Sequence, residues 1–157
     1  MRKVDVVTSM LVMSYDELSA YDRELVDAAR ASTNGSYAPY SHFSVGAAIR
    51  LDNGVVVRGA NQENAAFPSG LCAERTAAFY AHANYPDARF VAIAIAAVGV
   101  DGKEVSAPIS PCGACRQSLL EYETLARDGV KVILVGRDEI CVLPSVKSLL
   151  PLAFSEF

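Results

Sequence analysis

The chain has 157 residues, of which 52% are hydrophobic and 20% are charged. This length is enough for one domain that buries its own core, and this composition excludes an intrinsically disordered chain. The formal net charge is -4 and the Lys and Arg residues are scattered, which argues against nucleic acid as a partner, because a bound phosphate backbone needs a basic surface.

The N-terminal segment is apolar but short. Its run from Val4 to Met13 follows two basic residues, as in a signal peptide, yet Asp5 interrupts it and no small-residue cleavage site follows. We interpret residues 1–13 as an N-terminal extension and residues 14–157 as a single domain. No stretch has the length of a membrane span, so we expect no membrane partner. Because the chain is acidic and lacks a secretory signal, we expect a cytoplasmic protein whose four cysteines stay reduced.

The first predicted helix begins at Ser14, because Ser14 and Glu17 have the spacing of a capping box and apolar residues then recur at helical intervals. It ends near residues 32–35, where Thr-Asn-Gly-Ser indicates a loop. Two apolar runs, 43–51 and 55–61, flank an Asn-Gly pair. This pattern predicts a β-hairpin, because both turn residues tolerate a positive φ.

The rest of the chain alternates helices with apolar runs that are typical of buried strands. The predicted elements are, in order, a helix at 72–82, a strand at 90–98, a helix at 113–127, strands at 132–135 and 140–143, and a short helix at 146–150. Only residues 136–139 separate the last two strands, so they pair antiparallel, since a parallel partner needs a long crossover. The sequence therefore predicts an α/β fold, a three-layer α-β-α sandwich around a five-stranded mixed sheet.

Three of the four cysteines lie at the predicted starts of two helices. Cys72 begins one helix, and Cys112 and Cys115 begin the next. The positive partial charge of a helix start lowers the pKa of a thiol and makes the thiolate available as a metal ligand. Three protein ligands and one open position are the pattern of catalytic zinc. His82 is too far along its helix to share the metal, whereas His42 stays open as a further ligand.

Two neighbours of Cys72 have expected roles at such a centre. Glu74 lies two residues from a metal ligand, where a carboxylate can move protons between water and a leaving group. Three thiolates leave zinc with a net negative charge, so donors to the sulfurs would restore some of its acidity. Arg75 is the best placed donor, and Arg116 and Gln117 are weaker candidates.

These two segments resemble a known signature. Zinc deaminases carry H-x-E and P-C-x-x-C, and this chain has Cys72-Ala73-Glu74 and Pro111 to Cys115, with Cys in place of His. Together with residues 37–48, 61–66 and 72–77, the chain resembles the small homotetrameric cytidine deaminases over nearly its whole length. The resemblance implies a cytidine deaminase-like catalytic domain with one zinc ion per chain, which hydrolyses cytidine or deoxycytidine to uridine or deoxyuridine and ammonia.

The resemblance also implies roles for individual residues in binding a small nucleoside. Asn61 and Glu63 would grip the sugar 3′-hydroxyl, and Phe43 would form an aromatic wall of the pocket. Ala73 and Ser110 would offer backbone groups to the pyrimidine. Phe154 would reach into the active site of a neighbouring subunit of the homotetramer. The chain departs from the family at Phe67, where Tyr is common, and it stops at Phe157, soon after Phe154.

Other functions stay open at this stage. The substrate could be a related nucleoside or nucleoside antibiotic, although the Asn61 and Glu63 pair favours cytidine. A deaminase of nucleotides, tRNA or DNA is disfavoured by the acidic balance and by the direct connection between the last two strands. A non-catalytic zinc-binding module would have no need of Glu74. Taken alone, Cys112 and Cys115 would indicate a redox pair or half of a structural zinc site.

Overall fold

A computed structural model describes residues 1–155 of the chain. The described helices and strands are, in chain order, β1 (Leu11–Met13), α1 (Ala20–Ser32), β2 (Ser44–Leu51), β3 (Val56–Ala60), α2 (Ala73–Asn84), β4 (Phe90–Val98), α3 (Gly113–Ala126), β5 (Lys131–Val135) and β6 (Ile140–Leu143). Short 3-10 helices lie at Tyr15–Glu17, Thr33–Gly35, Phe67–Ser69 and Val146–Leu149. The strands form one sheet in the order β1-β6-β5-β4-β2-β3.

The sheet is mixed, as the sequence predicted. Strands β4 and β5 pair in parallel, with helix α3 in the crossover between them. The other neighbouring strands are antiparallel, including β5 and β6, so the prediction from the short connection between the last two strands is confirmed. The fold class is therefore the predicted α/β class.

The predicted strand count was wrong, because the sheet formed by residues 1–155 has six strands and not five. The additional strand β1 comes from the segment that the sequence marks as an extension, and Val12 of β1 is opposite Cys141 of β6. The Thr8 hydroxyl also donates a hydrogen bond to the Ser148 carbonyl oxygen at 2.8 Å. The physical reason is that an uncovered edge strand exposes unpaired N–H and C=O groups, and an adjacent extended segment satisfies those of β6.

The predicted start of the first helix was also wrong. The capping box between Ser14 and Glu17 is present, but it caps only the 3-10 helix Tyr15–Glu17. Leu18 then has an extended backbone, with φ -68° and ψ 148°. Helix α1 begins after a second cap, in which the Ser19 hydroxyl accepts a hydrogen bond from the Asp22 N–H at 3.0 Å.

The predicted hairpin is β2 and β3, whose residues Ala48 and Arg58 are opposite one another. Its turn differs in detail from the prediction, because only Gly54 has a positive φ, of 86°. The Gly54 N–H donates to the Leu51 carbonyl oxygen at 3.0 Å. This is the three-residue hairpin loop in which the last residue adopts the left-handed conformation that suits glycine.

Helices cover both faces of the sheet, which completes three layers. Helix α1 packs on one face, where Leu25 and Val26 meet Ala94 of β4 in a buried cluster. Helices α2 and α3 pack on the other face, where Ala77 and Leu119 belong to a second cluster. Both clusters are apolar, so burial of these faces supplies the main stabilisation of the fold.

Helix α2 lies unusually close to the sheet. A Cβ atom placed on Gly59 of β3 would lie 2.5 Å from the Ala77 backbone nitrogen and 2.7 Å from the Ala73 carbonyl oxygen. Only glycine permits this approach of helix backbone to strand backbone. The contact fixes the distance between the first turn of α2 and the sheet. Among residues 1–155, no helix combines the length and apolar character needed to cross a membrane.

Candidate active site

The starts of α2 and α3 bring three cysteine sulfurs together. Cys72 is the N-cap residue of α2, Cys112 is the N-cap residue of α3, and Cys115 lies in the first turn of α3. The three sulfur atoms all lie within 4.8 Å of one another, and those of Cys72 and Cys112 are 4.0 Å apart. In residues 1–155 this is the one group of potential metal ligands, so it excludes His42 and Cys141.

The chemistry of this donor set fits a metal ion. Cys72 has its pKa lowered to about 5, first because it accepts a hydrogen bond from Cys115 and then because Arg75 and Cys112 also donate to it. The pKa of Cys115 is raised, because its proton is engaged by Cys72 and because the thiol is buried beside Glu74. One thiolate is thus already favoured, and a thiophilic cation would displace the remaining protons. Soft sulfur ligands in this number are typical of zinc.

Arg75 lies against the sulfur cluster, where the sequence places it. Its Nη2 donates a hydrogen bond to the Cys72 sulfur at 3.6 Å. The pKa of the guanidinium is raised, mainly by this interaction. Its Nε is buried and has no hydrogen-bond partner within residues 1–155. The cation therefore offsets part of the negative charge that three thiolates would place on a metal.

Glu74 is the buried carboxylate of the site. It follows Cys72 by two residues in the first turn of α2, and only 4% of it is exposed. Burial raises the pKa of its carboxyl group, and the negative charge of Cys72 raises it further. The Cys115 thiol is within hydrogen-bonding reach of the carboxylate. A carboxyl group held beside a metal-ligand cluster and screened from bulk water is suited to proton transfer.

A cavity of about 510 Å³ opens beside the cluster, and this volume suits a nucleoside-sized molecule. Its lining includes four of the predicted site residues. The lining residues are Tyr40, Ser41, Asn61, Gln62, Glu63, Asn64, Phe67, Gly70, Leu71, Cys72 and Arg75. Tyr40 and Phe67 form an edge-on aromatic pair with their ring centroids 5.5 Å apart. The cavity therefore joins an aromatic rim to the sulfur cluster.

Glu63 presents a carboxylate to this cavity. Its Oε2 accepts hydrogen bonds from the Tyr40 N–H at 2.9 Å and from the Ser41 N–H at 3.2 Å. The pKa of Glu63 is lowered, chiefly by a hydrogen bond from the Ser41 hydroxyl. Because these donors stabilise the charged form, the carboxylate is able to accept further hydrogen bonds on the cavity side.

The Asn61 side chain is held by three contacts. Its Oδ1 accepts from the Ser36 hydroxyl at 2.6 Å and from the Val45 N–H at 2.8 Å. Its Nδ2 donates to the Phe43 carbonyl oxygen at 2.9 Å. An amide group has two N–H donors, so one of them is left for another acceptor. Asn61 can therefore only donate to a ligand.

The other predicted residues surround the site without lining this cavity. Ala73 is fully buried in the first turn of α2, and Phe43 is partly buried just before β2. The Ser110 hydroxyl accepts a hydrogen bond from the Arg116 Nη2 at 2.8 Å. Gln117 donates from Nε2 to the Phe154 carbonyl oxygen at 2.8 Å, which holds the C-terminal segment beside α3.

Sequence reasoning missed the role of Arg116, which it considered only as a donor to sulfur. Arg116 donates from Nε to the Pro111 carbonyl oxygen at 2.8 Å and from Nη1 to the Leu149 carbonyl oxygen at 2.9 Å. It thereby connects the loop before Cys112 to the C-terminal segment. No local pattern could have revealed this contact, because Leu149 is distant in the sequence.

Residues 19–127 match the family described as the cytidine and deoxycytidylate deaminase zinc-binding region. The chain belongs to this deaminase family. The matched region contains both cysteine segments, and the Cys72, Cys112 and Cys115 group has the composition to hold the single zinc ion of a zinc-binding deaminase.

Relatives named cytidine deaminase are similar over most of their length. That of Halalkalibacterium halodurans is 42% identical over 135 residues, which cover 85% of this chain and 95% of the relative. A probable cytidine deaminase of Dictyostelium discoideum is 35% identical over 145 residues, or 92% of this chain and 88% of the relative. Both similarities extend well beyond the metal-ligand segments of the deaminase family.

The fold is similar to that of solved deaminases. The crystal structure of cytidine deaminase from Burkholderia pseudomallei superposes with a TM-score of 0.71 at 39% identity and covers 87% of this chain and 100% of the other. The cytidine deaminase of Mycobacterium tuberculosis superposes with a TM-score of 0.65 at 32% identity, over 88% and 99% of the two chains. The family assignment therefore agrees in sequence and in structure.

Proposed function

We propose that this chain hydrolyses free cytidine and deoxycytidine to uridine or deoxyuridine and ammonia. Its deaminase family and the names of its relatives support this reaction class. The observation that carries the proposal is the buried carboxylate of Glu74 beside three convergent cysteine sulfurs, at a cavity of nucleoside size. A purely structural metal site has no use for a buried carboxylate next to its ligands.

Cys72, Cys112 and Cys115 would hold the zinc ion. Zinc, when bound, supplies the Lewis acidity that makes water nucleophilic at neutral pH. Glu74 takes a proton from the attacking water and delivers it to the departing amino group. The second proton of that water ends on N3 of the pyrimidine, the water oxygen ends on C4, the bond from C4 to the amino nitrogen breaks, and ammonia leaves. Arg75 limits the negative charge of the sulfur cluster.

The hydrogen bonds of Asn61 and Glu63 support recognition of a sugar hydroxyl. Asn61 has an N–H to donate, and the Glu63 carboxylate accepts. A hydroxyl group satisfies both at once, since it accepts one hydrogen bond and donates another. A phosphate on this oxygen would remove its proton donor and would be repelled by Glu63. This pair therefore favours substrates whose 3′-hydroxyl group is free.

Exposed apolar residues support the homotetramer that the resemblance implies. Phe154 is 69% exposed and Phe67 is 72% exposed, and exposed aromatic residues are typical of surfaces that contact other chains. We propose that Phe154 reaches the active site of a neighbouring subunit. We also propose that Ala73 and Ser110 offer backbone groups to the pyrimidine and that Phe43 forms an aromatic wall of the pocket. We further propose a cytoplasmic location, a role in pyrimidine salvage, and an extension at residues 1–13 before a single catalytic domain.

The test is the loss of cytidine absorbance as uridine forms, together with the zinc content of the purified protein. We expect turnover with about one zinc per chain. Glu74→Gln should retain zinc and lower kcat by at least a hundredfold, because general acid–base catalysis contributes about that much. Glu121→Gln, at an exposed position on α3, is the matched control and should be fully active. A zinc-loaded protein that converts only a nucleoside antibiotic, or nothing, would refute the proposal.

A further inference from the structure

Ser36 contacts a predicted substrate-binding residue without lining the cavity itself. Its hydroxyl donates to Asn61 Oδ1 at 2.6 Å, and the Val45 N–H donates to the same oxygen at 2.8 Å. The two lone pairs of that oxygen are thus both used. The Phe43 carbonyl takes one N–H of Nδ2. Within residues 1–155, one amide N–H is therefore the sole group of the Asn61 side chain that is left for a ligand.

The backbone near Ser36 is held independently of its hydroxyl. The Ser36 N–H donates to the Thr33 carbonyl oxygen at 3.1 Å, and the Tyr37 N–H donates to the Asn61 carbonyl oxygen at 3.0 Å. The Glu63 N–H in turn donates to the Tyr37 carbonyl oxygen at 2.8 Å. The segment therefore stays beside residues 61–63 even without the Ser36 side chain. Loss of the hydroxyl would therefore change the hydrogen bonding of the Asn61 amide and leave the backbone in place.

We propose that Ser36 is a positioning residue for sugar recognition, which rests on the proposed cytidine deaminase function. By donating to Oδ1, the hydroxyl fixes the plane of the Asn61 amide. It also polarises the amide, because hydrogen bonds in a chain strengthen one another. The free N–H of Asn61 then becomes a better directed and stronger donor to the sugar hydroxyl. Ser36 does not touch the substrate.

The experiment compares cytidine with 3′-deoxycytidine, which lacks the hydroxyl that Asn61 would contact. In Ser36→Ala we expect KM for cytidine to rise about three- to tenfold, the range that one net hydrogen bond accounts for. We expect kcat to stay within about twofold of the parent value, because the reacting atoms are untouched. KM for 3′-deoxycytidine should not change. Ser36→Thr retains a hydroxyl and should restore KM for cytidine.

Ser32→Ala is the matched control, because the Ser32 hydroxyl donates at 2.7 Å to the Ala28 carbonyl oxygen within its own helix. It should leave both KM values unchanged. If Ser36→Ala fails to fold, Ser36→Cys provides the same comparison with a weaker donor.

Equal increases in KM for both substrates, or a fall in kcat alone, would overturn the role of Ser36 and leave the deaminase function intact. A parent protein without cytidine turnover would instead refute the proposed function. A parent protein with equal KM for the two substrates would refute the sugar contact, and with it the role of Ser36.

Discussion

Gly59→Ala should displace the helix that carries Cys72 and Glu74. The new Cβ would lie 2.5 Å from the Ala77 backbone nitrogen, whereas ordinary contact begins at 3.4 Å, so helix α2 must retreat by roughly 0.9 Å. The three nearest atoms are the Ala77 nitrogen, the Ala73 carbonyl oxygen and the Ala77 Cα; all belong to helix backbone, and none can move aside alone. Overpacking of this kind costs about 1–3 kcal/mol of the free energy of unfolding. A shift of about 1 Å in catalytic groups can lower kcat about a hundredfold.

The free energy of unfolding in urea, the zinc content and kcat of Gly59→Ala together test this prediction. The matched control is Gly113→Ala at the start of α3, where an added Cβ would meet no atom within 4 Å. That control also lies next to a metal ligand, yet it should be neutral or slightly stabilising, since alanine is the better helix former. Full stability and full activity in Gly59→Ala would refute the argument that the close contact sets the position of α2.

The contacts of Arg75, Glu123 and Glu63 can also be tested by substitution or by a change of pH. Arg75→Ala should weaken zinc affinity about tenfold to a hundredfold, because the Cys72 sulfur loses its hydrogen-bond donor. Competition with a chelator measures the affinity, and an unchanged value would contradict this role of Arg75. Glu123→Ala should lower the free energy of unfolding, measured in urea, by about 3–5 kcal/mol, because this buried carboxylate accepts hydrogen bonds from three backbone N–H groups. A loss below about 1 kcal/mol would be inconsistent with that contribution. The lowered pKa of Glu63 should keep KM for cytidine constant from about pH 8 to pH 5, with a rise only at lower pH as the carboxylate is protonated. Ser41→Ala should raise the pKa of Glu63, so KM should begin to rise at a higher pH; a KM profile that is identical in this variant would argue against the hydrogen bond.

Elements with a strong local pattern were predicted well. The strand Phe90–Val98 has the predicted bounds, and the helix Gly113–Ala126 differs by one residue. The errors lie where local signals compete or where a distant partner decides. Ser14 and Ser19 both carry helix-capping geometry, and the extended backbone of Leu18 separates the two. Strand β1 forms because it pairs with the edge strand β6, which is far away in the sequence.

The positions of the site residues depend both on local sequence spacing and on tertiary contacts. Sequence spacing alone placed Cys72 and Glu74 at one helix start and Cys112 and Cys115 at another, because such spacing is a local property of a helix. The same local property predicted that Arg75 would be near the sulfurs, and its 3.6 Å contact with Cys72 agrees. Spacing along the chain could not orient the Asn61 amide, whose partners come from separate segments.

The sequence by itself determined which side chains could bind a metal and move a proton, since residue type and local helical position carry that chemistry. Only the tertiary structure decided that sulfurs 40 residues apart lie 4.0 Å from one another. It also decided that Ser36 and Val45 leave Asn61 a single donor, and that Gly59 lets α2 approach the sheet. These features arise from contacts between distant segments, which form only when the apolar faces of helices and sheet are buried together.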